Sequence, residues 1–476
     1  MKRRNFLNRV GVGAAALALP VYAGASLRLI TRSGKRPNIL LFFPDQLRHD
    51  WIEPNPALPL RTPNLEKLGT KGARFTNAVT PSPLCAPARA CLASGKEYDR
   101  CGVESNDTNY PLDQTTFYTL LRYSGYHVMG CGKFDLSKPD HYWGLDGKRL
   151  IGEWGFSDGI NSEGKWDGIN AYQKGHKPVG PYMAYLQEKG LADVHVTDFN
   201  RRRSNRAAVF STPLSDEDYC DNWIALNGLQ LLKNKPEGKP WFLQVNFNGP
   251  HSPWDVTESM AGKWRDVDFP QPNGGKSHTP EEYNAIRQNY AAMIENIDRW
   301  LGVYLDLLEQ RGELDDTLIV FSSDHGEMLG DHDAWSKSKP HQPSAGVPLV
   351  IGGPGVEEGI VSAIPMTIID LAATFLEYGG IEVPADMDSR SLKPYLNGST
   401  QKHRDYVLSG LSSWRMVFDG RYKYVRGYED QALLFDLVTD PGENINLVDD
   451  MQEVSRRLEQ ILDDEGVGHG YSTGEK

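Results

Sequence analysis

The sequence lacks the basic excess and the cysteine spacing that mark two common classes of protein. Among its 476 residues, Asp and Glu outnumber Lys and Arg by 63 to 51, and the formal net charge is −12. A nucleic-acid binder needs basic residues to neutralise phosphates, so we expect no nucleic-acid partner. The chain has only five cysteines, and none of them is placed with the spacing of a zinc site.

The chain also has no apolar run of the length typical of a membrane span. Its start, "MKRRNFLNRVGVGAAALALPVYAGAS", is basic and continues as a modest Ala/Gly/Leu run that contains Pro20. The segment Arg3-Arg4-Asn5-Phe6-Leu7 resembles a bacterial twin-arginine export signal. We therefore predict an export signal over residues 1–25, a linker over 26–36, and an exported, periplasmic protein with the twin-arginine translocase as a partner. The alternative is a membrane anchor.

One cysteine stands apart from the others. An odd number of cysteines in an exported chain leaves at least one unpaired. Twin-arginine substrates usually fold before export, so the sequence fixes no disulfide among the other four, Cys91, Cys101, Cys131 and Cys220. Cys85 lies in "PSPLCAPARACLASG", where proline and small residues predict a helix that begins near it, with Arg89 one turn further on. A thiol and a cation at a helix N-terminus, which favours negative charge, indicate a functional site.

Four apolar runs of strand length predict a sheet. They are "NILLFF", "YHVMGC", "WFLQVNF" and "TLIVFSS", at residues 38–43, 126–131, 241–247 and 317–323. Continuous apolar runs are typical of buried parallel strands. Helical patterns lie between them, at 114–124, 217–234 and 281–311. This alternation predicts an α/β fold with a large, mixed, mainly parallel sheet flanked by helices.

The character of the sequence changes after "SLKPYLNGST". Residues 404–448 alternate β-forming residues with turn residues such as Asp419-Gly420, which predicts antiparallel hairpins. An amphipathic pattern over 449–464 predicts a final helix. We therefore predict a catalytic domain over residues 37–395 and a small C-terminal α+β subdomain over 396–476, with an antiparallel sheet and a helix.

Polar side chains directly follow each of the four predicted strands. They are Asp45 and Gln46, Lys133, His251, and Asp324 and His325. Ligands bind at the carboxyl ends of strands in open α/β sheets, so we expect these side chains to share one site with Cys85. For any one of them alone, a turn or a helix cap is an equally good interpretation.

The donor atoms of this set suit a hard divalent cation. Carboxylate, amide and imidazole donors come from Asp45, Gln46, Asp324 and His325. An oxygen-rich set with one nitrogen fits Ca²⁺, Mg²⁺ or Mn²⁺ better than a thiolate metal site. Positive charge comes from Arg89, Lys133 and Lys337. A metal and cations together can hold the oxygens of a tetrahedral oxyanion ester while its central atom is attacked.

Several stretches of the chain together carry a family signature. Cys85-Ala86-Pro87-Ala88-Arg89 ends in Ser94-Gly95, and it is accompanied in order by "RPNILLFFPDQ", "GPHSP", "SSDHGEMLGDHDAWSKSK" and "LLFDLVTDPGENINL". These motifs resemble those of the type I sulfatases of the alkaline phosphatase superfamily, over nearly the whole mature chain. The resemblance implies an alkaline phosphatase-like fold and a sulfuric ester hydrolase.

The resemblance also implies roles for individual residues. In that family a maturation enzyme oxidises the cysteine to Cα-formylglycine, which implies that Cys85 is the precursor of an aldehyde and that this enzyme is a partner. A divalent ion, most often calcium, is then held by Asp45, Gln46, Asp324, His325 and residue 85. The implied catalytic residues are Cys85, Arg89, Lys133, His251 and Lys337. Arg89 stabilises the hydrated aldehyde, the lysines hold the sulfuryl oxygens, and His251 or Lys337 protonates the leaving alcohol.

Two positions depart from the family pattern. Gln46 stands where many members have aspartate, and members with Asp-Gln include phosphonate monoester hydrolases, so a phosphonate monoester or phosphodiester hydrolase is an alternative. In "GKFD", Asp135 stands where many members have a histidine that helps to break down the sulfated intermediate. Asp135 and His127 are both candidates for that base. A glycan-binding homologue without turnover is the other alternative.

The substrate is the least defined part of the prediction. Residues 140–205, which include "DHYWG" and "NRRRSNR", are rich in Trp, Tyr, Gly, Lys and Arg. Such residues suit stacking on sugar rings and binding of sulfates, so we expect a sulfated small molecule or glycan as substrate. An ordinary solvated loop is an equal alternative, and the sequence gives no oligomeric state.

Overall fold

The computed structural model describes residues 35–466. The predicted export signal, 1–25, and residues 26–34 of the predicted linker lie outside the described residues, as do residues 467–476. Of the helices between residues 35 and 466, none combines the length and the apolar character that crossing a bilayer requires.

Strands and helices alternate through most of the described chain. The strands are β1 Asn38–Phe42, β2 Gly72–Phe75, β3 Ala78–Val79, β4 His127–Gly132, β5 Asp158–Asn161, β6 Trp241–Asn246, β7 Thr317–Ser322, β8 Leu349–Gly352, β9 Ile360–Ser362, β10 Met366–Thr367, β11 Val407–Leu411, β12 Trp414–Phe418, β13 Tyr422–Tyr428 and β14 Gln431–Asp436. The helices are α1 Pro63–Thr70, α2 Cys85–Ser94, α3 Phe117–Tyr123, α4 Lys165–Gly175, α5 Pro181–Glu188, α6 Ala192–Arg202, α7 Cys220–Asn234, α8 Glu258–Gly262, α9 Pro280–Gln310, α10 Gln342–Ala345, α11 Asp370–Tyr378, α12 Lys393–Leu396 and α13 Gln452–Asp464.

The main sheet of residues 35–466 has eight strands in the order β5-β4-β6-β1-β7-β8-β2-β9. The first five strands of this order run parallel to their neighbours. Strand β8 is antiparallel to both β7 and β2, and β9 is parallel to β2. The prediction of a large, mixed, mainly parallel sheet is therefore confirmed. The four strands predicted from the apolar runs, β4, β6, β1 and β7, lie side by side at its centre.

The central strands are mainly apolar because both faces of the sheet are covered. In β1, Leu40 and Phe42 pack into one hydrophobic cluster, which includes side chains of α7 and α9. Ile39 and Leu41 point to the opposite face and pack into a second cluster with side chains of α2, α3 and α11. Successive side chains of a strand alternate between faces, so a strand buried on both sides has few polar positions.

A second sheet closes the C-terminal part of the described chain. Strands β11, β12, β13 and β14 pair antiparallel in sequence order, with Asp419-Gly420 in the turn between β12 and β13. Helix α13 buries Leu458 and Leu462 against this sheet, which makes a small separate core. These elements confirm the predicted C-terminal antiparallel sheet and helix.

A buried ion pair joins the small sheet to the loop that carries Lys337. Lys423 on β13 donates to Glu443 at 2.6 Å and to the carbonyl of Pro340 at 3.0 Å. The other carboxylate oxygen of Glu443 accepts from the backbone N–H of Gln342 at 2.6 Å. Both side chains are 0–1% exposed, so the charges compensate each other away from water.

We expect Lys423→Met to lower the free energy of unfolding by about 3–5 kcal/mol, because Glu443 then stays buried without its partner. The double variant Lys423→Met/Glu443→Gln should recover part of that loss. Chemical unfolding curves measure both effects. Lys35→Met is the control: Lys35 pairs with Asp316 in solvent, and losing such a pair changes stability by about 1 kcal/mol or less. Equal effects of the two single substitutions would contradict the role of the buried pair.

Candidate active site

The carboxyl ends of the central strands bring four potential metal ligands together. Asp45 follows β1, Asp324 and His325 follow β7, and Cys85 is the first residue of α2. Their ligand atoms all lie within 4.8 Å of one another, and all four residues are buried. The shared site predicted from the strand ends therefore exists in the structure for these four side chains.

Cys85 is held at the start of a tightly packed helix. The preceding Leu84 is extended, and Gly95, with φ +66°, ends the helix in the left-handed conformation that glycine favours. Every residue of α2 is buried, and the helix contains several alanines, whose small side chains allow its neighbours to pack closely. The Cys85 Sγ lies 3.2 Å from His325 Nε2 and 3.6 Å from Lys133 Nζ.

The surroundings of Cys85 favour a negative charge on its side chain. Burial and the Asp45 carboxylate raise the pKa of the Cys85 thiol, but Lys133, Lys337 and His325 outweigh them and lower it overall. The site is therefore electropositive at the position where the side chain of residue 85 ends.

Two buried cations neutralise the two carboxylates of the site. Lys133 pairs with Asp45, and Arg89 donates to Asp324 at 3.0 Å and to the Lys133 carbonyl. Burial opposes the charge on Lys133, but Asp135 and Asp45 raise its pKa well above the usual value. Arg89 also donates to Asn246 Oδ1 at 3.4 Å, and its bond to Asp324 fixes the position of a carboxylate of the site.

The amide of Gln46 is oriented by its two hydrogen bonds. Its Oε1 accepts from Lys337 Nζ at 2.7 Å, and its Nε2 donates to Glu327. Glu327 also accepts from the backbone N–H groups of Leu329 at 3.0 Å and Ser336 at 2.5 Å. Glu327 thus turns the amide oxygen of Gln46 toward the site and folds the loop that carries Lys337. Glu327 was not among the site residues predicted from the sequence, although it lies three residues after Asp324 in the same motif.

His251 and Lys337 form a directly bonded pair. Lys337 Nζ lies 2.6 Å from His251 Nε2, and His251 Nδ1 lies 2.5 Å from the carbonyl of Ser252. A carbonyl only accepts, so Nδ1 carries the proton and Nε2 accepts from the Lys337 ammonium. Burial and the charge of Lys337 hold the pKa of His251 well below its usual value. His251 is therefore neutral, and its Nε2 accepts a hydrogen bond from Lys337.

Lys165 holds the His251 segment in place. This residue was not predicted from the sequence to belong to the site. Its buried Nζ donates to the carbonyl of His251 at 3.0 Å and to Asp255 at 2.7 Å. Lys165 begins α4, far from His251 in sequence, and no local pattern pointed to this contact.

The two candidates for the turnover base occupy different places. Asp135 is buried 3.1 Å from Lys133 Nζ and 3.0 Å from Lys138 Nζ. Burial raises the pKa of Asp135, but these two lysines outweigh it and keep the pKa well below the usual range. His127 begins β4, whereas Lys133 follows the other end of that strand, so the structure places His127 at the opposite edge of the sheet.

The donor set fits a hard divalent metal. Two carboxylates and one buried imidazole converge. The Oε1 atom of Gln46 faces the same side, because it accepts from Lys337. The Cys85 Sγ stands in for the oxygen that formylglycine would present at this position, and with it the set is dominated by oxygen. The ligands fit the group predicted from Asp45, Gln46, Asp324, His325 and residue 85.

Comparison with known families agrees with this geometry. The sulfatase family profile matches residues 37–381, and the profile described as N-sulphoglucosamine sulphohydrolase, C-terminal, matches residues 330–466. The chain therefore belongs to the sulfatase family.

Curated relatives and solved structures resemble the chain over most of its length. An arylsulfatase of Clostridium perfringens is 28% identical and a choline-sulfatase of Rhizobium meliloti is 30% identical, covering 93% and 87% of this chain and 97% and 83% of their own. An N-acetylglucosamine-6-O-sulfatase of Bacteroides thetaiotaomicron is 25% identical, over 90% of this chain and 86% of its own. The structure of a phosphonate monoester hydrolase of Agrobacterium radiobacter superposes with a TM-score of 0.75 at 25% identity, over 90% and 96% of the two chains. The protein is accordingly a sulfuric ester hydrolase with the alkaline phosphatase fold.

We expect Glu327→Gln to lower kcat/KM about 10- to 100-fold, the usual effect of removing a group that orients a metal ligand. The substituted amide no longer accepts at both oxygens, so Gln46 and the Lys337 loop lose their orientation. Titration of the metal and steady-state rates on a chromogenic aryl sulfate measure the change. Glu295→Gln is the matched control, since this carboxylate on α9 accepts from Lys263 and Trp264, and it should leave both values unchanged. Full activity of Glu327→Gln would contradict the role of Glu327.

The His251–Lys337 pair predicts a specific pH dependence. His251 acts in its neutral form, so kcat/KM falls only as the pH drops through its pKa, which lies well below 6.5. In Lys337→Ala the neighbouring charge is gone, and the acid limb of the residual activity should move up toward that value. Rate profiles from about pH 4.5 to 8 measure this limb. Lys339→Ala, whose ammonium faces Glu429 instead, should keep the profile of the original enzyme. An unmoved limb in Lys337→Ala would show that Lys337 does not set the pKa of His251.

Proposed function

We propose that this sulfatase hydrolyses a sulfate ester on a carbohydrate, with a formylglycine at position 85 and a divalent metal, Ca²⁺ in preference to Mg²⁺ or Mn²⁺. The observation that carries the proposal is the placement of Cys85. Its Sγ lies among Asp45, Asp324 and His325, with Lys133 on one side, in a chain of the sulfatase family. A thiol buried among metal-type ligands is a poor nucleophile for an oxyanion ester, whereas an aldehyde hydrate in its place is a good one.

When bound, the metal polarises the sulfuryl oxygens, and formylglycine supplies a nucleophilic hydroxyl. The other roles in the reaction belong to side chains of the protein. Lys133 and Lys337 carry the positive charge that stabilises the sulfuryl oxygens in the transition state. The Lys337 ammonium, bonded to neutral His251, is the proton donor for the leaving alcohol. Arg89 holds Asp324 in position through its hydrogen bond.

Asp135 acts through Lys133 in this proposal. Its carboxylate lies between the ammonium groups of Lys133 and Lys138, which keeps its negative charge paired beside an anionic substrate. A carboxylate whose pKa is held this low is a weak proton acceptor. Asp135 is therefore proposed as a positioning residue for Lys133.

Two observations support a carbohydrate as substrate. One relative is an N-acetylglucosamine-6-O-sulfatase, and the surface beside His251 carries Trp166, Arg203 and Arg206. Choline sulfate, the substrate class named by another relative, carries a cation, which suits these arginines poorly. Trp166 offers an aromatic face for a sugar ring, as in many ligand pockets.

We also propose that the protein is exported to the periplasm by the twin-arginine translocase, after conversion of Cys85 by a maturation enzyme. The five cysteines are all free in the structure, which suits a chain that folds before it leaves a reducing compartment. The signal itself, residues 1–25, supports the route through its paired arginines.

A phosphonate monoester is the second candidate substrate. The Asp45-Gln46 pair resembles that of phosphonate monoester hydrolases, and one such enzyme superposes over 90% of this chain. An amide ligand in place of a carboxylate leaves the metal site one negative charge short, but sulfate monoesters and phosphonate monoesters both carry one negative charge, so the product analysis below decides between them.

Mass spectrometry and product analysis test the proposal together. In protein from the native host, we expect the peptide of residues 75–89 to carry an aldehyde oxygen in place of the thiol. Sulfate release from sulfated sugars should exceed phosphonate hydrolysis, and chelation should abolish both. Cys101→Ala, which leaves the site cysteine intact, controls for thiol loss elsewhere. An unmodified Cys85 in active enzyme would refute the formylglycine, and faster cleavage of aryl phosphonates would favour the second candidate.

A further inference from the structure

A pocket opens next to the catalytic residues. Its volume is about 410 Å³, within the range of small-molecule sites, and its walls include Trp166, Arg203, Arg206, Ser252 and Pro253. No step of the proposed sulfate ester hydrolysis takes place in this pocket.

The pocket borders three segments that hold catalytic side chains. Ser252 and Pro253 directly follow His251 in the chain. Trp166 follows Lys165, whose Nζ donates to the His251 carbonyl. The Arg206 guanidinium lies 5.1 Å from the ring centre of Trp335, which precedes Lys337 by two residues. The pocket therefore adjoins the segments that carry His251 and Lys337.

The charge of the pocket is positive and uncompensated. Arg202 is paired with Asp198 at 3.0 Å, but Arg203 donates only to the neutral side chains of Asn170 and Gln173 and lies 5.1 Å from the ring centre of Trp166. In the described part of the chain, neither Arg203 nor Arg206 forms an ion pair, and no carboxylate lines the pocket. A guanidinium stacked on an aromatic ring keeps N–H donors at its edge for an anion.

We propose that Arg203 and Arg206 bind a second anionic group of the substrate, a sulfate or a carboxylate, while the first sulfate is hydrolysed. This inference rests on the proposed function, because it places the cleaved sulfate at Cys85. The substrate class is then a glycan fragment with at least two negative charges on the same or the adjacent sugar. A cationic ester such as choline sulfate is disfavoured at the same positions.

The double variant Arg203→Ala/Arg206→Ala tests this assignment. Three probe pairs compare one negative group with two: glucosamine 6-sulfate with its 2,6-disulfate, N-acetylgalactosamine 6-sulfate with its 4,6-disulfate, and a sulfated disaccharide with and without a uronic acid. Each probe competes with hydrolysis of 4-nitrophenyl sulfate. For at least one pair, the original enzyme should bind the doubly charged member about 10- to 100-fold more tightly, as expected for charge-assisted hydrogen bonds. The variant should lose that preference while kcat on 4-nitrophenyl sulfate changes less than about twofold.

Further variants separate binding from structural damage. Arg203→Lys/Arg206→Lys should recover part of the preference, and Arg456→Ala, an exposed arginine on α13, should change nothing. The inference is overturned if the original enzyme shows no preference in any probe pair. It is also overturned if the double variant loses kcat on 4-nitrophenyl sulfate and probe binding to the same degree, because the arginines would then only support the fold.

The reaction at Cys85 and the binding of a second anionic group can be tested separately. Calorimetric titration of the probes into calcium-loaded Cys85→Ala protein measures the pocket without any turnover. Preference for the doubly charged probes there, with no sulfate released by the original enzyme, would refute the proposed reaction and keep the pocket. Sulfate release without any such preference would keep the reaction and refute the pocket.

Discussion

The pairing of two buried carboxylates with two buried cations is the constraint on which the rest of the site depends. Asp45 with Lys133 and Asp324 with Arg89 lie where β1 and β7 end, with almost no access to water. Unpaired charges at such positions would destabilise the fold, yet the same carboxylates are what a metal needs. The cations satisfy both demands, because they compensate the acids and leave positive charge directed at an anionic ester.

The support of this site comes from all parts of the described chain. Ser338, next to Lys337, donates to the carbonyl of Pro83, and Gly410 on β11 donates to the carbonyl of Pro81. The segment before Cys85 is thus held by the Lys337 loop and by the small sheet. Because both contacts involve backbone groups, their partners are fixed by the fold and not by side-chain identity. The C-terminal sheet is in this sense a part of the active site.

The sequence predicted the fold well, and it predicted that Asp45, Cys85, Asp324 and His325 lie together, for a physical reason. A strand buried on both faces is mainly apolar, and the residues directly after it lie at the end of the sheet, so "NILLFF" and "TLIVFSS" located Asp45 and Asp324. Contacts between segments far apart in sequence were not predictable in this way. Lys165 donates to the His251 carbonyl across the fold, and Arg89 donates to Asp324, which is 235 residues away in sequence.

The burial of Cys85 limits when the proposed oxidation of its side chain can occur. This side chain is 1% exposed, at the start of a helix whose residues are all buried. If Cys85 is oxidised as proposed, the oxidising enzyme must reach it before the helix docks, during or soon after synthesis. If the folded chain is then exported as proposed, the chemistry at position 85 is completed before export. Molecules that fold before the oxidation would keep the thiol and stay inactive.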